Sequence, residues 1–361
     1  MTLPASRRLS QRLKALPETE SGSRYRSRPS WWSTYVRRFV SVGVLGVLTV
    51  SFTALFPVLV TVAVIIDAVI GLRRARTTRT VAFLTLFFWS EIRAIGTATL
   101  LWIRFLGRMA QPQAQKALQR ELSAYGHRIW TLSQRCFGVS LRITGTDALR
   151  GLGPFICFAH HTSILDSVVP VEILGHGGGL DLGYVVKKEL SWMPALDLVG
   201  GWLPVHFVDR TGHQSSDEAD HIGRLVANIK PGSAQVIFPE GTFYNARRLE
   251  RAVDRLRQQD DSLVDRAIEL RHVLPPRPGG ALALLDAAPE CDVLFIAHVG
   301  FEPYVDLRSI FAHLPFHEPV EAHVWRVSRA DIPEDPKDRY RWLFGQFELM
   351  DSWIDGRMAS R

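Results

Sequence analysis

One uninterrupted apolar run constrains this chain more than any other feature. Residues 39–72 hold 34 positions with no base and a single acid, Asp67. A straight helix of that length would reach about 51 Å at 1.5 Å per residue, against a hydrocarbon core of about 30 Å. The run is therefore too long for one comfortable span. Pro57 stands near its middle and cannot donate a helical hydrogen bond, so it marks the natural place for a break into two arms.

Three arrangements fit such a run: a helical hairpin that enters a membrane and returns, a kinked single span, and a helix pair buried in a soluble core. The flanks discriminate. Arg37 and Arg38 precede the run, and Arg73, Arg74, Arg76 and Arg79 follow it. A single crossing would place one cluster on the non-cytoplasmic side, against the positive-inside tendency, whereas a hairpin keeps both on the cytoplasmic face. A membrane-anchoring hairpin is the expectation. Trp31, Trp32 and Tyr35 suit an interfacial aromatic belt, or pack on the domain. A second apolar stretch, 81–105, is broken by Glu91, Arg93 and Arg104, which fits a helix lying in the interface or one covering the domain. A cleaved signal peptide does not fit, because the apolar region is too long and starts too late.

The organisation expected is a basic tail over 1–38, anchoring and interfacial helices over 39–110, and a globular domain over 111–361. With 47% hydrophobic and 22% charged residues, the chain is not a disordered or low-complexity protein. Cys136, Cys157 and Cys291 are too few and too scattered for a disulfide framework or a cysteine-based zinc cluster. A formal charge of +7 points to an anionic partner, either nucleic acid or an acidic lipid surface. Basic residues over 247–257 interleave with acids and lack the aromatics of a single-strand nucleic-acid platform, so the lipid surface is the expectation.

Past residue 111, helical spacing over 114–135 gives way to short apolar runs alternating with amphipathic stretches. Strands are expected over 140–144, 155–159, 182–186, 203–208, 235–238, 293–299 and 321–327. Helices are expected over 163–174, 217–229, 246–259, 280–286 and 337–354. This alternation predicts an α/β fold with a mixed, largely parallel sheet flanked by helices.

Histidine is the usual general base near neutral pH, and the spacing His-x4-Asp occurs twice, as His161…Asp166 and His176…Asp181. The first follows the apolar run Phe155-Ile-Cys-Phe-Ala159, at a strand end, where α/β folds place their sites. There Asp166 can fold back to the imidazole, fix its tautomer and stabilise the imidazolium. A surface histidine beside a helix-capping aspartate is the plain alternative. His176 lies in Gly175-His-Gly-Gly-Gly-Leu-Asp181, read as a flexible loop. Two further strand ends carry polar groups. Phe238-Pro-Glu-Gly-Thr242 gives a tight turn able to meet an anion, and the strand over 203–208 leads to Arg210, suited to phosphate capture. No GxSxG, GxxxxGK[ST], HExxH or GxGxxG occurs.

In order, His161-x4-Asp166, the Arg-ended strand, Pro239-Glu-Gly-Thr242 and Val273-Leu-Pro-Pro-Arg-Pro-Gly-Gly280 resemble the glycerolipid acyltransferase family, whose best-known members acylate 1-acylglycerol-3-phosphate. Lys187-Lys-Glu-Leu190 with Gly200-Gly-Trp-Leu203 is similar to the stretch between its first two motifs. The tail His323-Val-Trp-Arg326 through Asp351 is similar to the lysocardiolipin and lysophospholipid acyltransferase branch. The resemblance spans roughly residues 150–355 and implies a membrane-bound O-acyltransferase that converts 1-acylglycerol-3-phosphate to phosphatidate. It implies His161 as base and Asp166 as its partner. Arg210, Glu240, Gly241, Thr242 and Lys187 would bind substrate, with Pro275 shaping the donor site. Acyl-CoA or acyl carrier protein thioester would serve as co-substrate, with no bound cofactor, no metal and no covalent intermediate. Phe243 departs from the Arg or Ser that often follows Glu-Gly-Thr, and Gly201 lies six residues ahead of Phe207, a stretched second motif. Two alternatives stay open: an acyltransferase or transacylase acting on another lysophospholipid or a glycolipid, and an inactive membrane-anchored lipid-binding protein.

Overall fold

The computed structural model describes residues 31–71, 74–151, 153–208, 216–227 and 229–361. The basic tail before residue 31 lies outside this set, and so does Arg210. Helix α1 (Trp31–Ala54) starts within the stretch read as tail and continues almost directly into α2 (Phe56–Ile70). The joining residue, Leu55, has φ −89° and ψ 4°. Helical hydrogen bonds run through it, from Leu55 N to Ser51 O at 2.9 Å and from Leu59 N to Leu55 O at 2.8 Å. Pro57 sits in the first turn of α2, where a missing N–H is tolerated, so it interrupts the rod without turning the chain back.

The reversal comes later, over 71–75, where Gly71 (φ 144°) and Ala75 (φ 43°) both take positive φ. Helix α3 (Arg76–Arg104) then returns along the rod. Trp89 Nε1 donates to Thr53 Oγ1 at 3.0 Å, and the Phe52 and Phe88 rings meet edge-on at 5.2 Å. The apolar run is therefore one rod and not the hairpin expected within it, so Arg37 and Arg38 stand at one end and Arg76 and Arg79 at the other; the hairpin that forms has α3 as its second arm. Asp67, the one acid of the apolar run, is 3% exposed. Its two oxygens accept Thr77 N at 2.9 Å, Thr78 N at 2.9 Å and Thr78 Oγ1 at 2.8 Å. It caps the orphan N–H groups of α3 from across the turn.

The domain begins with α4 (Pro112–Phe137), against which α3 packs. There follow β1 (Leu141–Thr144), β2 (Phe155–Ala159), β3 (Asp181–Lys187), α5 (Pro194–Gly200) and β4 (Val205–Val208). Next come α6 (Ser216–Val226), β5 (Ser233–Ile237), α7 (Ala246–Gln259), α8 (Val264–Ile268) and α9 (Pro278–Ala287). The chain ends with β6 (Asp292–Val299), α10 (Leu307–His313), β7 (Val320–Val327) and α11 (Pro336–Ala359). The strands form one sheet in the order β1-β7-β6-β2-β5-β3-β4. Strands β6, β2, β5, β3 and β4 run parallel; β7 pairs antiparallel to β6, and β1 parallel to β7.

Strand β2 is buried at every position, as a central strand covered on both faces must be. Phe155, Cys157 and Ala159 join the core shared with α4 and α5. Ile156 and Phe158 face the core shared with α6, α7, α9 and α11. The mixed, largely parallel sheet flanked by helices is thus as expected. One element differs. Residues 163–174 do not form a regular helix; a single helical turn (Asp166–Val168) precedes a π-helical segment (Val171–Gly177). Asp166 Oδ2 accepts the N–H groups of Thr162 at 2.6 Å and Ser163 at 2.8 Å. That folds the loop over the strand end, and Pro170 offers no N–H to continue a helix.

Because Asp67 closes the hairpin turn, Asp67→Ala should cost about 1–2 kcal/mol of local stability. Amide exchange at Thr77 and Thr78 would accelerate about tenfold or more, and proteolysis within 71–75 would rise. Unchanged exchange at both amides would refute the capping role.

Candidate active site

The C-terminal ends of the five parallel strands define one rim, and residues from four of them lie there. After β2 come His160 and His161; after β5, Pro239-Glu-Gly-Thr242; at the end of β3, Lys187; near the end of β6, His298. His161 Nδ1 lies 2.9 Å from Asp166 Oδ1. The carboxylate fixes the Nδ1–H tautomer and leaves Nε2 to take a proton. The His161 side chain is 12% exposed while Asp166 is fully buried. Burial alone would raise the Asp166 carboxyl. The adjacent imidazole, His298 and the Ser163 N–H outweigh that effect and hold it below its ordinary value of 3.8. The His161 ring rests against Phe238 at 4.6 Å and edge-on against Phe243 at 4.4 Å.

Glu240 faces inward. It is 1% exposed, and both of its oxygens are spent inside the protein. Oε1 meets His160 Nδ1 at 2.9 Å and accepts His161 N at 2.8 Å; Oε2 accepts Leu274 N at 2.9 Å. The expected contact with an acceptor hydroxyl is not what this geometry offers. Glu240 instead ties the histidine loop to the segment carrying Pro275, which is itself buried. Gly241 takes φ 72° and its N–H closes the turn on Phe238 O at 3.0 Å. That N–H is therefore not turned towards an anion. An added Cβ at Gly241 would stand 2.9 Å from Arg277 Nε, so the position admits only glycine without a shift of that guanidinium. Thr242 is half-buried at the rim. Lys187 is exposed and pairs with Glu189 at 3.2 Å, on the same rim but two strands away from β2.

Two buried histidines complete the site. His160, 1% exposed, would be lowered by burial, but the Glu240 carboxylate reverses this and raises its pKa above the ordinary 6.5. His298 is equally buried, and its pKa is pushed down to about 3 by burial and by the neighbouring His160. Neutral His298 can donate from Nε2, which lies 3.2 Å from His160 O and 3.7 Å from Asp166 Oδ2. Sequence spacing gives no sign of His298, since it stands 138 residues from the backbone oxygen it meets. His160 was visible only as the neighbour of His161.

Residues 140–287 match the Acyltransferase family model. The chain is 26% identical over 276 residues to 1-acyl-sn-glycerol-3-phosphate acyltransferase epsilon of Mus musculus, covering 70% of this chain and 71% of that one. It is 25% identical over 183 residues to probable 1-acyl-sn-glycerol-3-phosphate acyltransferase 5 of Arabidopsis thaliana, covering 48% of this chain and 45% of that one. The crystal structure of the 1-acyl-sn-glycerophosphate acyltransferase PlsC from Thermotoga maritima shares the fold, with a TM-score of 0.51 at 15% identity. It covers 79% of this chain and 98% of that one. The histidine-aspartate dyad sits within the stretch of this chain that matches the Acyltransferase family model.

Proposed function

We propose that the chain is a membrane-bound O-acyltransferase that moves a fatty acyl group from an acyl thioester to the free hydroxyl of a lysophospholipid. The acceptor is 1-acylglycerol-3-phosphate, the product phosphatidate, and the donor acyl-CoA or acyl carrier protein. The observation that carries this reading is the His161–Asp166 pair at the rim, its base partly exposed and its carboxylate buried. His161 Nε2 takes the proton of the acceptor hydroxyl, and the oxygen attacks the thioester carbonyl carbon. The tetrahedral intermediate collapses with loss of the thiolate, which recovers the proton from the imidazolium. Asp166 stabilises that imidazolium, while His298 and the N–H groups of Thr162 and Ser163 fix the carboxylate.

The hairpin supports the membrane part of the proposal. Helices α1 and α3 are long and apolar enough to cross a membrane, and the outer face of the rod is open: Phe39 is 83% exposed and Val69 84%. An apolar surface of that extent marks an interaction with lipid or protein. Both ends of the hairpin rest on the same domain. Arg37 and Arg38 bond Asp197 at 2.9 and 2.7 Å. At the turn, Arg79 donates to Cys136 O at 2.9 Å and Arg76 to Leu314 O at 3.2 Å. A rod pinned at both ends to one domain lies in the interface and keeps the domain on one side, here assigned to the cytoplasmic face.

A second reading rests on Phe243. Where the family often places Arg or Ser, this ring stands edge-on to His161. Its carbonyl is bonded by Arg248 Nη1 at 2.9 Å, with that guanidinium 5.9 Å from the ring centre. An apolar wall beside the base favours an acceptor whose head group is larger or less charged, another lysophospholipid or a glycolipid.

Three outcomes test these readings. His161→Ala should lower thiol release from acyl-CoA with lysophosphatidate by about 10²–10⁴-fold, and Asp166→Asn by a comparable factor; retained turnover in His161→Ala would refute the base. Phe243→Arg should raise the rate on lysophosphatidate relative to neutral lysolipids in a mixed panel, and an unchanged ratio would remove Phe243 from specificity. Because the folded pKa of His160 is raised, its pairing with Glu240 is fully present below about pH 6.5 and is lost as pH rises through that folded value. His160→Asn should therefore lower the Tm more at pH 6 than at pH 9; an equal or opposite difference would refute the charged pair.

A further inference from the structure

The second His-x4-Asp motif leads to a site that acyl transfer does not use. The sequence reads His176 as part of a flexible loop, but it lies in the π-helical segment Val171–Gly177. The widened turn is closed by Gly178 N on Ile173 O at 2.9 Å. Segments of this kind are rare and gather at functional sites. On it, Glu172 and His176 meet His127 of α4. One ligand-capable atom from each of the three lies within 4.8 Å of the others. His127 Nδ1 is 3.0 Å from Glu172 Oε2, and the His127 and His176 rings stack at 3.7 Å between centroids.

We infer that His127, Glu172 and His176 form a binding site for a divalent transition metal of the zinc class. Two imidazoles and one carboxylate are a donor set that zinc accepts and that magnesium and calcium, which take oxygen ligands, do not favour. In a tetrahedral zinc site with bonds of about 2.0–2.1 Å, neighbouring donor atoms are about 3.3 Å apart. The His127–Glu172 separation is already close to that edge. His176, exposed and followed by Gly177, Gly178 and Gly179, must rotate out of its stack on His127 and close by about 1.5 Å or less to complete three protein ligands. Solvent supplies the fourth.

The place of the site decides its role. Strand β3 starts at Asp181, a few residues beyond His176, so the three ligands lie at the end of the sheet opposite the rim that carries His161. The metal does not touch the reacting groups. It clamps α4 to the segment leading back to Asp166, and so acts on stability.

The test uses the full-length chain in detergent micelles and zinc chloride as the only added ligand. Calorimetric titration should give one equivalent bound, with a saturable rise in Tm. His176→Ala and the volume-conserving Glu172→Gln should each weaken zinc binding at least about tenfold. Acyl transfer by the metal-free variants should equal that of the metal-free wild type. Cobalt substitution should give tetrahedral d–d absorption that His127→Ala abolishes. No zinc binding by wild type, or binding that survives loss of both His127 and His176, would overturn the assignment.

Discussion

The Glu240 carboxylate is the contact on which the rest of the site depends. It joins three segments that are far apart in sequence: the loop after β2, the turn after β5 and the segment leading to α9. Each bond is made in a dry interior, where a group left unpaired costs about 1–3 kcal/mol and a charged one more. Removing the carboxylate would strand His160 Nδ1, His161 N and Leu274 N together. The main chain that presents His161 is therefore positioned by a residue that itself never faces solvent.

Such a residue is easy to find in a sequence and hard to interpret there. Pro239-Glu-Gly-Thr242 stands out as a strand-ending turn, and a carboxylate in such a turn reads as a surface group. Its inward direction depends on the histidine loop and on Leu274, neither of which is local. His161 and Asp166 are legible because their relation is local: they stand five positions apart, and an apolar strand precedes them. His298 is illegible for the opposite reason. It sits in a strand buried at nearly every position, where a polar residue has no periodicity to betray it.

The hairpin shows the same division. The apolar run declares its length and its one acid, and both facts are right. Pro57 reads as the break because proline interrupts helical hydrogen bonding, but one missing N–H in the first turn of a helix is cheap. Reversal needs backbone at positive φ and a cap for the returning helix. Gly71, Ala75 and Asp67 supply these ten or more residues downstream of Pro57. Likewise Glu91, an apparent flaw in the second apolar stretch, turns away from any lipid. It accepts the Tyr125 hydroxyl and Ala195 N, so a charge that argued for a helix lying in the interface serves to dock that helix on the domain.

The surroundings of the dyad support the proton transfer proposed for it. The Glu240 carboxylate raises the pKa of His160 against its burial, and the two are bonded to each other away from the dyad. His298 stays neutral and adds only a dipole. Asp166 is fully buried, and besides His161 its oxygens accept the N–H groups of Thr162 and Ser163. In the proposed reaction, moving a proton from a substrate hydroxyl to His161 creates a cation 2.9 Å from that carboxylate. The interaction is then stronger after proton transfer begins than before it, which is the condition for an interaction to accelerate a reaction rather than merely tighten binding. A protonated His298 would weaken the effect, because it would already stand 3.7 Å from Asp166 Oδ2 as a cation in the ground state.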